Sequence, residues 1–99
     1  MTKRMRGNLP EGVRINETQA AVLAEIERRE GGTQWGVPIA LGTLGEALGK
    51  NKVTARRACQ ALLDQALIDV RVRYGSNGGR LENEYALTDK GRAVLEALR

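Results

Sequence analysis

The chain has 99 residues, enough for one domain with a modest core, and a hydrophobic fraction of 41% with mixed charges excludes a disordered chain. With no His and the single Cys59, it has neither the ligands of a nitrogen–sulfur metal site nor a partner for an intramolecular disulfide. The aromatic content of 3%, with no Phe, leaves Leu, Val, Ile and Ala to build the core, which favours helices.

The net charge of +4 is unevenly placed. Residues 1–14 carry four Lys/Arg against one Glu (+3), residues 51–80 carry six against two Asp (+4), and the remainder sums to −3. Two basic blocks in so small a chain imply a surface facing a polyanion, although any charge run also serves as a solvated face. No apolar run approaches the ~20 residues of a membrane span, so a cytoplasmic protein is expected, with no membrane partner.

In chain order, MTKRMRGNLPEG mixes Gly, Pro and basic residues without periodicity and reads as a flexible basic arm over residues 1–14, followed by one domain over 15–99. Asn16 with Gln19 three residues on forms a capping box. Val22, Leu23 and Ile26 recur at helical spacing, and Gly31-Gly32 ends the first helix. TQWGVPI is too short and too broken for a helix and reads as a turn and a short edge strand, with Trp35 as a lid on the core. Leu41, Leu44 and Leu48 fit a second helix over Ala40–Leu48 that stops at Gly49.

The third helix, about residues 52–65 with Asn51 as its N-cap, carries the functional reading. At about 100° per residue, Ala55, Ala58, Cys59, Leu62 and Ala66 fall on one stripe and are expected to face the core. Val53, Arg57 and Gln60 lie opposite, flanked by Thr54 on one side and by Lys52 and Arg56 on the other. Asp64 shares the outward face further along, where it would repel phosphate, so the N-terminal half is the candidate contact surface. A short helix, a tight turn and a second helix of this polarity form a helix-turn-helix pattern, whose second helix enters the major groove N-terminus first.

Over LIDVRVRY, Ile68, Val70, Val72 and Tyr74 alternate with Asp69, Arg71 and Arg73, the period-two pattern of a strand with one buried face and a largely arginine outer face. After GSNGG the alternation resumes with Tyr85 and Leu87 inward, so the two strands make an antiparallel hairpin. Gly75, Gly78 and Gly79 are expected to give its tip positive φ angles, and Arg80 stands beside them. Thr88 caps a last helix with Gly91, Val94, Leu95 and Leu98 on its inner stripe. The fold class is therefore mainly α with a small β-hairpin, in the order helix, strand, helix, helix, hairpin, helix.

From about Ile15 to Arg99 this pattern resembles the winged helix-turn-helix family. TLGEALGKNKVTARRACQALLDQALIDVRVR looks like its short helix, turn, recognition helix and approach to the wing. YALTDKGRAVLEAL is similar to the strand and helix after the wing in bacterial regulators of the MarR and PadR types. The resemblance implies a prokaryotic or phage transcription regulator that binds double-stranded DNA, without enzymatic activity or cofactor. It places Lys52, Val53, Thr54, Arg56, Arg57 and Gln60 on the recognition helix in the major groove. Arg71, Arg73 and Arg80 then lie on or beside a wing over about residues 71–85 that meets the backbone or minor groove. Ala66 stands at a turn position where the family often has Gly, and the sequence ends before the long helices by which MarR-type proteins dimerise. A homodimer and ligand sensing are left open.

Other chemistries find little support. The lone Ser76 has no His to activate it, and neither does Cys59. In GTLGEALGKNK, Leu44 stands where a phosphate loop needs its first Gly, and Asn51 replaces the Ser/Thr. Cys59 lies on the inward stripe and reads as a small core residue. Two alternatives stay open beside the regulator: a protein–protein interaction module, which would expose apolar residues on the outward face of the third helix, and an accessory nucleic-acid-binding protein of replication or recombination.

Overall fold

The structure, a computed structural model, describes residues 9–10, 12–31 and 36–99, with Arg80 described in its backbone alone. Most of the basic arm, Trp35 and the Arg80 side chain therefore lie outside the described residues. The elements are α1 (Glu17–Glu30), β1 (Val37–Pro38), α2 (Leu41–Leu48), α3 (Lys52–Asp64), β2 (Ile68–Tyr74), β3 (Arg80–Leu87) and α4 (Asp89–Ala97). Their order is the one read from the sequence.

Local chemistry sets most of the boundaries. Asn16 Oδ1 accepts from the Gln19 amide at 2.8 Å while Gln19 Oε1 accepts from the Asn16 amide at 3.1 Å, closing the capping box of α1. Gly31 ends that helix at φ 64° and Gly49 ends α2 at φ 68°, left-handed positions that suit glycine. Asn51 and Thr88 cap α3 and α4 by accepting from the amides of Thr54 at 2.8 Å and Gly91 at 2.9 Å.

The sheet runs β1-β3-β2, antiparallel throughout, with the two-residue β1 at its edge, where Pro38 has no amide to offer a further strand. One core joins all of this: Val22, Leu23 and Ile26 of α1, Leu44 of α2, Ala55, Ala58, Cys59 and Leu62 of α3, Tyr85 and Leu87 of β3, and Val94 and Leu95 of α4. Leu67 and Ile68, at the start of the hairpin, are buried in the same cluster.

Three expectations need correction. Ala66 does not face the core: α3 ends before it, and Ala66 is exposed, at φ 60°, where the chain reverses and the Leu67 amide donates back to the Leu62 carbonyl at 2.9 Å. The buried face of β2 does not continue to its end. Ile68 is buried and Val70 half-buried, but Val72 and Tyr74 are 45% and 66% exposed, because the hairpin extends past the helices that could cover it. At the wing tip, Gly78 has a positive φ of 83° but Gly75 and Gly79 do not. The Asn77 side chain, accepting from the Gly79 amide at 2.9 Å, makes the turn instead.

The pairing also carries a bulge that no period-two reading anticipates. Arg71 pairs with Glu84 and Arg73 with Leu81, so two steps along β2 match three along β3, and Glu82–Asn83 supply the extra residue opposite Val72.

Candidate nucleic-acid interface

Packing against the core fixes which side of α3 is free. Ala55, Ala58, Cys59 and Leu62 are buried, so the rest of the helix must look outward. Lys52, Val53, Arg56, Arg57 and Gln60 are exposed; Thr54 is half-buried, its amide held by Asn51. Gly45 brings the turn before α3 close to α2: a Cβ there would stand 2.8 Å from the Lys50 carbonyl oxygen and 3.1 Å from that of Asn51. That contact holds the two helices at the tight spacing of a helix-turn-helix.

The cations divide by partner. Arg28 and Arg29 pair with Glu25, Arg92 with Glu30, Arg99 with Glu27 and Glu96, and Arg71 and Arg73 with Glu84. Lys52, Arg56 and Arg57 form no ion pair among the described residues, nor do Arg14, Lys50 and Lys90, but only the first three share one helix face. The first two turns of α3 thus present three unneutralised positive charges, and its N-terminus adds the positive end of the helix dipole.

The wing arginines Arg71 and Arg73 share a carboxylate partner. Glu84, on the neighbouring strand, lies 3.7 Å from Arg71 Nη1 and 3.3 Å from Arg73 Nε, so one carboxylate holds both guanidinium groups on one side of the hairpin. Arg71 stays 81% exposed along its side chain and Arg73 only 32%. Glu84 was not singled out in the sequence, though its place after the glycine-rich turn, across from Arg71, could have drawn notice once a register was assumed.

Cys59 is 5% exposed, and burial pushes its thiol up to about 11. It borders a cavity of about 110 Å³ between α3 and the sheet, with Arg56, Gln60, Leu63 and Val70 around the rim. A thiol kept protonated is a poor nucleophile, which agrees with a packing role.

A three-helix core carrying a helix-turn-helix and followed by a β-hairpin and a closing helix is a winged helix-turn-helix. Among solved structures the likeness is to MarR-type winged-helix transcription regulators. The transcriptional regulator MosR of M. tuberculosis superimposes with a TM-score of 0.67 at 26% identity, over 98% of this chain and 58% of its own. A MarR family transcription regulator gives 0.67 at 27% identity, over 99% and 58%. RV1404 from Mycobacterium tuberculosis gives 0.68 at 25% identity, over 98% and 57%. The chain therefore spans less than two thirds of the length of these relatives. No protein-family model matches the chain, and no curated protein matches it. Among the described residues no helix is long and apolar enough to cross a membrane.

Proposed function

We propose that this chain is a sequence-specific double-stranded-DNA-binding transcription regulator in which α3 enters the major groove and the wing lies on the backbone or in the minor groove. The observation that carries the reading is the partition of charge: Lys52, Arg56 and Arg57 are exposed and unpaired on the outward face of the second helix of a helix-turn-helix. Arg57 and Gln60, on the face away from the buried stripe, are assigned to base edges, with Lys52, Thr54 and Arg56 on flanking phosphates. Arg71, Arg73 and Arg80 are assigned to the backbone beside the wing. Regulation in the cytoplasm, on the nucleoid, as a monomer or a homodimer, belongs to the same reading, and no cofactor is required for it.

The test is a titration of selected and random duplex DNA at two salt concentrations. Four to six neutralised phosphates give a log-log salt slope of about −4 to −5, and Arg57→Ala costs about 1–3 kcal/mol on the selected duplex with loss of sequence preference. Equal losses on both duplexes would remove Arg57 from base reading. A protein-docking role is the second reading, favoured by Val53 and Leu63 on α3 and by Val72, Tyr74 and Leu81 on the hairpin, all exposed. Binding that ignores salt would select it.

A further inference from the structure

The acidic residue of α3 lies on the face assigned to DNA, four residues after a side chain assigned to bases. Gln60 Nε2 donates to Asp64 Oδ1 at 2.9 Å, and among the described residues Asp64 has no cation beside it. Both residues are exposed. An ionised carboxylate can only accept, so the amide has to turn its nitrogen toward Asp64 and its oxygen away; the opposite orientation would set oxygens face to face.

This bond removes a freedom that glutamine ordinarily keeps. A free terminal amide turns either way at little cost and can offer two N–H donors or a donor and an acceptor. With one N–H given to Asp64, the remaining N–H and Oε1 form a donor–acceptor pair. Adenine shows the complement in the major groove, N7 accepting and the N6 amino group donating. Guanine shows two acceptors, N7 and O6, and only a single N–H remains to meet them.

We propose that Asp64 is a positioning residue that fixes the Gln60 amide as a donor–acceptor pair and thereby sets a preference for adenine over guanine at the base Gln60 meets. The inference rests on the base-reading role proposed for Gln60. It also gives Asp64 two opposed effects: the carboxylate weakens binding to any DNA by repelling phosphate, while sharpening the choice of base.

The experiment measures affinities of the full chain and of Gln60→Ala, Asp64→Ala and Asp64→Asn for three duplexes: the selected site, the same site with adenine exchanged for guanine where Gln60→Ala loses discrimination, and random DNA. Asp64→Ala should stay folded, since an acidic residue in the last turn opposes the helix dipole. The parent is expected to favour adenine about 10-fold, in line with one bidentate contact. Asp64→Ala should reduce that ratio to about 2-fold while tightening random DNA several-fold. Asp64→Asn removes the charge and offers a donor as well as an acceptor, so the Gln60 amide can bond to it in either orientation; the ratio should fall as in Asp64→Ala, with the same tighter random binding. An adenine-to-guanine ratio unchanged by Asp64→Ala but abolished by Gln60→Ala overturns this inference alone. If Gln60→Ala alters no ratio between duplexes, the base-reading role itself fails and the inference fails with it.

Discussion

Ala66 is the described non-glycine residue with a positive φ, 60°, and it sits where α3 gives way to β2. A side chain with a Cβ pays about 1 kcal/mol to hold that conformation, and glycine does not. The turn is otherwise well held: the Ala66 amide donates to the Leu63 carbonyl at 2.9 Å, and Thr88 Oγ1 donates to the Ala66 carbonyl at 2.7 Å. Ala66→Gly is therefore expected to raise stability by at most about 0.5 kcal/mol in urea unfolding, the gain limited by the added freedom of glycine in the unfolded chain. The resemblance had marked Ala66 as standing where glycine is usual, so the position was legible in the sequence. The helical stripe that put its side chain in the core was misleading because periodicity does not say where a helix stops.

Seven residues earlier, Cys59 was read correctly, because four small or apolar residues at helical spacing leave little choice of inner face. Cys59→Ala should cost about 1 kcal/mol, and Cys59→Ser more, since its hydroxyl would be buried without a designed partner. The sign with pH follows from the raised thiol. An unfolded chain ionises it near 8.5, whereas the folded one resists until about 11. Its contribution is fully present below about pH 8.5 and is lost as pH rises through about 11. Comparing the stability of the native chain and Cys59→Ala across that window isolates the effect; identical curves would mean that the thiol ionises as freely in the folded state.

At the scale of elements, the helices were more legible than the hairpin, and the reason is physical. Helix caps and stripes are local: Asn16 with Gln19, Asn51 and Thr88 each bond to an amide three residues on, so sequence spacing contains the interaction. Strand pairing joins residues distant in sequence. Neither the extra residue at Glu82–Asn83 nor the pairing of Glu84 with Arg71 can be seen until the register is fixed. The consequence for the wing is testable. Glu84 neutralises part of the charge of Arg71 and Arg73, so Glu84→Gln should strengthen binding to random and selected DNA alike, several-fold, and steepen the salt slope by about one. Replacing Ser76–Arg80 by a short uncharged turn should weaken both duplexes alike and reduce the slope by about one, because backbone contacts carry little base information. Affinities unmoved by either change would leave α3 as the sole contact.

For the whole molecule, the feature that composition and periodicity passed over is Glu30, a buried acid in the last turn of α1. Its Oε2 accepts from the Leu87 amide at 3.0 Å and its Oε1 from Arg92 Nη2 at 2.9 Å, so one side chain ties α1 to the end of β3 and to α4. A charge at the end of an amphipathic helix ordinarily reads as solvated, and the arrival of Arg92 and the β3 amide from 57 or more residues away helps make burial tolerable. The Glu30 side chain is 0% exposed and that of Arg92 25%, which places the pair nearer a buried than a surface bridge. Removing Glu30 takes the acceptor from both the Leu87 amide and Arg92. Glu30→Ala is expected to cost about 3 kcal/mol, a large part of the roughly 5–15 kcal/mol that holds a domain of this size. Arg92→Met should cost less, because the Leu87 amide still serves the carboxylate. Glu30→Leu combined with Arg92→Met should recover much of the loss, since an apolar pair of similar volume escapes the desolvation of two charges. The pair lies apart from the outward face of α3, so the folded fraction of each variant should bind DNA with unchanged sequence preference. Urea unfolding combined with titration of the same samples separates the two effects. A double variant as unstable as Glu30→Ala would show that the bond to the Leu87 amide, rather than the charge pair, joins α1 to the wing.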